Sequence, residues 1–447
     1  MPTIVLIETP SLGDRSYLAH DGDVAFVVDP QRDLDRVLDL AEREGVRIAA
    51  VFDTHIHNDY VTGGIALARQ VGADYYLNEA DDVSFDRTPI RDGQVVQVGS
   101  MAVRAIATPG HTFTHLSYAL EGDEPVVFTG GSLLFGSTGR PDLLGQEHSH
   151  ELARHQHASA HRLATELPDE ARVMPTHGFG SFCSATQSSG DSSTIGAEKR
   201  ANPALTKDEA DYVEDILAGL EEYPAYYAHM AAANSAGPDA ADLSPVEKAD
   251  ASELRRRLEA GEWLVDLRQR TAFAAGHAPG TFNFGIDGQF STYLGWLIPW
   301  GTPVTLLGDS QEQVDEAQRE MTLIGIRWRS AAATGRAHAL RDDALSWVPT
   351  AKFADLAQVR HHRAVSVLDV RRPAEFASGH IENAVNVPIH DLLTRADDVP
   401  GGEVWVHCAG GYRASVAASI LAAAGKQVVA VDDDFDNVRG LGLPITG

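Results

Sequence analysis

Short apolar runs alternate with helical spacing along the first 230 residues. Thr3 to Ile7 and Val24 to Val28 read as strands, the second ended by Asp29-Pro30, and Leu34, Val37, Leu38 and Ala41 recur at helical spacing behind them. Ile48 to Phe52 is an apolar run of buried-strand length that stops at Asp53. Thr62 to Val71 reads as a helix, Val95 to Val98 and Val103 to Ala107 as strands, and the polar, His-rich stretch Glu147 to His161 as a surface helix. Asn234 to Asp242 (NSAGPDAAD) is small, acidic and Gly/Pro-containing, which is the composition of a linker.

Beyond that segment the pattern repeats. Asp266, Arg268, Phe273, Gly276, His277 and Asn283 recur 103 residues later as Asp369, Arg371, Phe376, Gly379, His380 and Asn386. A fixed offset held over one short window marks a duplicated domain. Each copy opens on a helical pattern (Ala251 to Ala260; Ala351 to Val359), followed by a strand ending in Asp-x-Arg, a Gly-His turn and a second strand. Strands alternating with helices predict a parallel α/β sheet. The chain of 447 residues thus divides into three parts, residues 1–233, 247–345 and 346–447, an α/β and α+β multidomain protein.

Composition narrows the setting. Hydrophobic residues make up 43%, enough for sizeable cores, and the net charge of −28 argues against nucleic acid or an anionic membrane as a main partner. Two cysteines, Cys183 and Cys408, cannot form a disulfide framework in so long a chain and read as reduced thiols. Met1 to Pro10 has neither the basic start nor the apolar core of a signal peptide, and no apolar run reaches membrane-spanning length. A cytoplasmic homo-oligomer is expected.

The second copy carries a nucleophile. The apolar strand Val404 to His407 runs into Cys408-Ala409-Gly410-Gly411-Tyr412-Arg413 and then a helix, Ala414 to Ala424. A cysteine between a parallel strand and a helix N-terminus sits among unpaired N–H groups at the positive end of the dipole, which favours the thiolate. The paired glycines let the backbone curl into an anion-accepting nest, and Arg413 offers a planar fork to an oxyanion. Asp369-Val-Arg371, Glu375-Phe376, Gly379-His380-Ile381 and the Cys408–Arg413 loop resemble the rhodanese family over about Val348 to Gly447. The resemblance implies transfer of sulfane sulfur through a persulfide on Cys408, with Ala409, Gly410, Gly411 and Tyr412 lining the substrate. Four residues between Cys and Arg, one fewer than in the oxyanion-removing branch, favour sulfur. In the first copy Gly308 falls where the cysteine should be, so that module is expected to be inactive. Its aromatic segment Phe290 to Trp300 reads either as core or as a wall packed against the N-terminal domain.

Imidazoles cluster at strand ends in the first domain: His55 and His57 in Thr54 to Tyr60, His111 in Thr108 to Thr112, and His177 in Pro175 to Gly178. This predicts a divalent metal site. THIHNDYVTGG (Thr54 to Gly64), TPGHT, FTGGSLLFGSTGRPDL (Phe128 to Leu143) and STIGAEKRANPAL (Ser193 to Leu205) resemble the metallo-β-lactamase fold over residues 1 to about 230, and within it the persulfide dioxygenases. With two rhodanese modules behind it, the architecture is similar to fused persulfide dioxygenase–sulfurtransferases. The resemblance implies an αββα fold, a single non-haem Fe(II) per chain, oxidation of a persulfide to sulfite, and small-molecule persulfide or thiosulfate with thiol acceptors as partners.

Two departures bear on that expectation. Tyr60 stands where the two-metal members have a further His. Gly131 stands where the dioxygenases have an Asp that ligates iron with His55 and His111, and an Asp restored there would be expected to complete the set. His57 could join His55 and His111, Asp59 or water could fill the gap, or the metal chemistry could be lost. Cys183, in the small-residue loop after His177, reads as a half-buried thiol, a sulfur relay or a partner in a mixed disulfide. Arg140 would bind a substrate carboxylate or pair with Asp142. Persulfide oxidation coupled to sulfur transfer is the leading reading. The alternatives are a sulfurtransferase whose first domain has lost its metal chemistry, a glyoxalase II-like thiolester hydrolase, and a non-enzymatic persulfide sensor or scaffold.

Overall fold

Alternation along two early strands, shifted by one residue at Ala49 in the second, dictates the first domain. In Val24–Val28, Phe26 and Val28 turn to one side and Ala25 and Val27 to the other; Arg47–Phe52 likewise splits Ala50 and Phe52 from Ile48 and Val51. A sheet apolar on both faces must be covered twice. A computed structural model, which describes residues 2–186, 190–327, 329–334 and 345–447, shows how. Two six-stranded sheets hold their strands in chain order, one from Thr3–Thr9 to Thr88–Ile90, the other from Val95–Val98 to Ser193–Thr194. Between them lies an aromatic core in which Phe26 meets Phe52 and Phe128 edge-on at 5.6 and 5.7 Å. Helices Leu34–Glu44 and Gly64–Val71 cover the outer face of the first sheet, and Ser149–Glu166 and Glu209–Ala218 that of the second. The architecture is αββα.

The chain divides at Asp242 into two compact units, Thr322–Gly325 alone grouping with the first. The linker expected from Asn234 begins too early. Helix Tyr227–Ser235 runs into it, and Asn234 is buried.

The second unit holds both copies of the repeat, each with its own parallel sheet. Strand Trp263–Asp266 lies between Phe282–Asn283 and Val304–Gly308, with Arg329–Thr334 beyond. Strand Ser366–Asp369 lies between Val385–Asn386 and Glu403–His407, with Gln427–Val431 and then Thr350–Ala351 beyond. The four strands the two sheets share come in the same order, the second sheet adding Thr350–Ala351 at its edge, so the duplication seen in motifs is also one of topology. The expected boundary at residue 345 falls beside residues 335–344, outside the described ones. Among the described residues no helix is long and apolar enough to cross a membrane.

Candidate functional site

Four strands of the first domain, Arg47–Phe52, Met101–Ala107, Val126–Gly130 and Arg172–Pro175, end at one place, and the loops that follow carry the imidazoles. A buried carboxylate ties these ends together. Asp29, held at φ 51, accepts from the Thr54 N–H at 2.7 Å and the Thr54 hydroxyl at 2.9 Å, and also from the Thr176 hydroxyl. A non-glycine residue in the left-handed region is uncommon and marks a constraint imposed by its surroundings. Asn234 fastens the same loop from the far end of the domain: its amide donates to the His57 and Tyr60 carbonyls at 2.8 and 2.9 Å and accepts from the Thr62 N–H at 2.9 Å.

His55, His57, His111 and His177 are all fully buried. The His55 ring lies 4.8 Å from His111 and 5.5 Å from His177, and His111 lies 5.3 Å from His177. In each of these three rings one nitrogen is anchored. His55 Nδ1 meets the Thr54 hydroxyl at 2.9 Å, His111 Nδ1 the Arg140 carbonyl at 2.8 Å, and His177 Nδ1 both Asp14 at 2.9 Å and Asp59 at 3.1 Å. The three Nε2 atoms, and Asp59 Oδ1, are buried with no hydrogen-bond partner among the described residues. Buried polar atoms are rarely left so. A donor set of this kind fits a divalent cation, with the Thr54 hydroxyl, the Arg140 carbonyl, and Asp14 with Asp59 as the outer partners that fix His55, His111 and His177.

The three-imidazole set of His55, His57 and His111 is not the one that converges. His57 Nε2 is taken by the Tyr60 hydroxyl at 3.0 Å and faces Asp29 at 3.3 Å. Burial opposes protonation of His57, but Asp29 outweighs it and raises its pKa. The groups whose ligand atoms lie within 4.8 Å of one another are His55, His57 and His177; His111, His177 and Cys183; Asp14, Asp59 and His177; and Asp29, Asp53 and His57. His177 is common to three of them.

Position 131 is not an open gap. A Cβ on Gly131 would stand 2.3 Å from His111 Cδ2, so the imidazole lies over the place a side chain would need. The left-handed glycine of the pair is Gly130, at φ 51. Cys183 is fully buried, and burial together with the Asp59 and Asp14 carboxylates pushes its thiol well above the ordinary value. Neither property suits an exposed sulfur relay. Arg140 is not free for a substrate carboxylate: it holds Asp142 through two bonds of 2.7 and 2.8 Å and donates to the Glu221 carbonyl at 2.6 Å.

In the second unit Cys408 ends strand Glu403–His407, and helix Tyr412–Ala423 begins four residues later. Gly411, at φ 93, turns its N–H onto Cys408 Sγ at 3.1 Å. A Cβ there would strike Asp432, which Arg270 of the first copy holds at 2.7 Å. The first copy also accepts the Tyr412 hydroxyl on its Gly285 carbonyl at 3.1 Å and bonds Ser415 through Asn283 at 2.8 Å. Its aromatic segment is packed here. Tyr293 lies 5.8 Å from Tyr412, and Trp296 stacks on His390 at 4.7 Å. The first copy therefore braces the helix that begins at the Cys408 loop.

Arg413 departs from the expected oxyanion fork. Both of its terminal nitrogens are bonded to Glu375, at 2.6 and 2.8 Å. Burial would raise the Glu375 pKa, but Arg413 outweighs it and brings the carboxyl down to about 2. A depressed carboxyl stabilises the fold above its unfolded value of 4.5 and loses that contribution as pH falls towards 2. Arg413→Met should thus lower stability by about 1.5–3 kcal/mol at neutral pH. In chemical denaturation followed over that acid range, the variant and the wild type should converge. A constant gap would show that the pair contributes nothing.

Residues 352–440 match the rhodanese-like domain family. Over 117 residues the chain is 38% identical to a hydroxyacylglutathione hydrolase of Acidiphilium cryptum, covering 25% of this chain and 47% of that protein. Over 205 residues it is 27% identical to the mitochondrial persulfide dioxygenase of Homo sapiens, covering 45% of this chain and 73% of that protein. The chain thus spans about half the length of the first relative and about three quarters of the second. Among solved structures, a metallo-β-lactamase from Staphylococcus aureus superposes with a TM-score of 0.66 at 26% identity, over 75% of this chain and 98% of that one.

Proposed function

We propose that this chain, which joins a metallo-β-lactamase fold to a C-terminal rhodanese domain, handles persulfide sulfur at two places: it transfers sulfur through Cys408 and oxidises a persulfide to sulfite at the histidine cluster. The observation that carries the reading is Cys408 Sγ, set at the start of a helix with the Gly411 N–H turned onto it. In the transfer step the Cys408 thiolate attacks the outer sulfur of a persulfide or thiosulfate. The donor's S–S bond breaks, a new S–S bond forms on Cys408, and the donor leaves as thiolate or sulfite. The Gly411 amide and the helix N-terminus offset the negative charge on sulfur throughout.

In the first domain a non-haem Fe(II), one per chain, would supply the oxygen chemistry when bound. The chain's own residues do the positioning. Asp14 and Asp59 fix His177, and the Arg140 carbonyl fixes His111, which leaves the buried Nε2 of each ring without a hydrogen-bond partner. A hydrolase of the two-metal kind is disfavoured, because Tyr60 replaces a ligand and its hydroxyl occupies His57. A second reading, sulfur transfer without oxidation, is favoured by one observation, the His111 ring lying over Gly131. The test is iron per chain after anaerobic loading, with oxygen uptake on glutathione persulfide. About one iron and brisk uptake with sulfite release are expected. No iron and no uptake, with thiosulfate:cyanide turnover intact, would leave the second reading standing.

A further inference from the structure

The anionic ligand missing at position 131 has a counterpart elsewhere in the cluster. Cys183 brings a ligand atom within 4.8 Å of those of His111 and His177. In both imidazoles the nitrogen that has no partner is Nε2. The thiol is not there by the accident of a loose loop. The Arg140 N–H donates to the Cys183 carbonyl at 2.8 Å, while the Arg140 carbonyl accepts from His111 Nδ1, also at 2.8 Å. One residue therefore sets both the ring and the cysteine. Arg140 is itself held by Asp142 and by the Glu221 carbonyl. On the other side, the Ser181 hydroxyl donates to Asp59 at 3.3 Å and accepts from the Cys183 N–H at 3.2 Å. Asp59 in turn meets His177 Nδ1. Each partner of the thiol is thus fixed by the same groups that fix the loop carrying it, which is how an outer shell around a metal centre is built.

The geometry points to Cys183 as a metal ligand, its Sγ joining His111 Nε2 and His177 Nε2 on a single divalent transition-metal ion. Binding exchanges the thiol proton for the cation: the S–H bond is lost, a sulfur–metal bond forms, one proton goes to solvent, and nothing is oxidised or reduced. Thiolate and imidazole together make a softer set than two imidazoles and a carboxylate, one suited to zinc and cobalt as well as iron. This inference rests on the reading of the cluster as a metal centre and adds the identity of its anionic ligand.

Cobalt(II) tests it without any turnover, because a thiolate ligand gives a near-ultraviolet sulfur-to-cobalt charge-transfer band that imidazole and carboxylate do not. The chain has two cysteines, so the assignment needs few variants. Metal-free wild type, Cys408→Ser, Cys183→Ser and Cys183→Ala are titrated with cobalt(II), reading the charge-transfer and visible ligand-field bands together. The expected result is one equivalent bound with both bands in the wild type and in Cys408→Ser. The charge-transfer band should be absent from both Cys183 variants, and zinc affinity in competition should be down about tenfold to a hundredfold or more, by analogy with the loss of outer partners. Ligand-field bands without charge transfer in the wild type would overturn the inference and leave the metal centre in place. No cobalt bound by the wild type would overturn both. The wild-type spectrum decides by itself should a Cys183 variant fail to fold.

Discussion

Cys408→Ser should lose thiosulfate:cyanide sulfurtransferase turnover by about 10⁴-fold or more, the scale seen when a catalytic nucleophile is removed, while the fold stays intact. The Gly411 amide and the helix start that stabilise a sulfur anion would remain. What disappears is a nucleophilic sulfur that can carry a second sulfur; a serine hydroxyl cannot. Cys183, the other thiol, belongs to the first unit, where burial and the Asp59 and Asp14 carboxylates disfavour its thiolate. The measurement is steady-state turnover beside a thermal melt. Retention of more than a trace of activity in a folded variant would move the sulfur carrier away from Cys408. A reduced Tm would instead point to packing, since Cys408 lies against the strand end and is itself almost wholly covered.

What could be read in the sequence was what is written locally. The duplication showed because Asp-x-Arg, Gly-His and Asn each do a local task twice. Asp266 and Asp369 grip the arginine two residues on, and Asn283 and Asn386 bond the carbonyls at the end of that strand. The strand ends that carry the imidazoles showed because each is an apolar run that stops at a polar residue. What could not be read was set by partners far along the chain. Asn234, in a stretch composed like a linker, bonds His57 and Tyr60 across more than 170 residues. Asp29 reads as the end of a strand but anchors two other strand ends, through Thr54 and Thr176. Asp14 has no pattern around it at all, yet it fixes His177. Arg413 shows the reverse error. Its place in the loop suggests an oxyanion fork, and the nearby Glu375, part of the same family pattern, was the clue that the fork already has a carboxylate to hold.

Gly131→Asp should not restore a metal site, although by position alone it would complete one. The added Cβ would stand 2.3 Å from His111 Cδ2 and 2.9 Å from Nε2, distances at which the ring must move. It has little room to do so. Its Nδ1 is bonded to the Arg140 carbonyl, and Gly139 presses on the same ring, close enough that a Cβ there would lie 2.6 Å from Nδ1. The Gly131 N–H is meanwhile committed to His115 Nε2 at 3.1 Å. Overpacking of a tight interior costs about 1–3 kcal/mol, and a carboxylate placed there without a partner adds to it. The displaced His111 would leave the cation with one imidazole fewer, so metal affinity should fall by about tenfold or more. Gly131→Ala separates sterics from charge, since it brings the Cβ and no carboxylate. Metal per chain after dialysis and the thermal midpoint should drop for both variants, with Asp at least as low as Ala. If Asp instead gains metal where Ala loses it, the carboxylate reaches the cation, the His111 ring yields to it, and the site is a dioxygenase set lacking one residue.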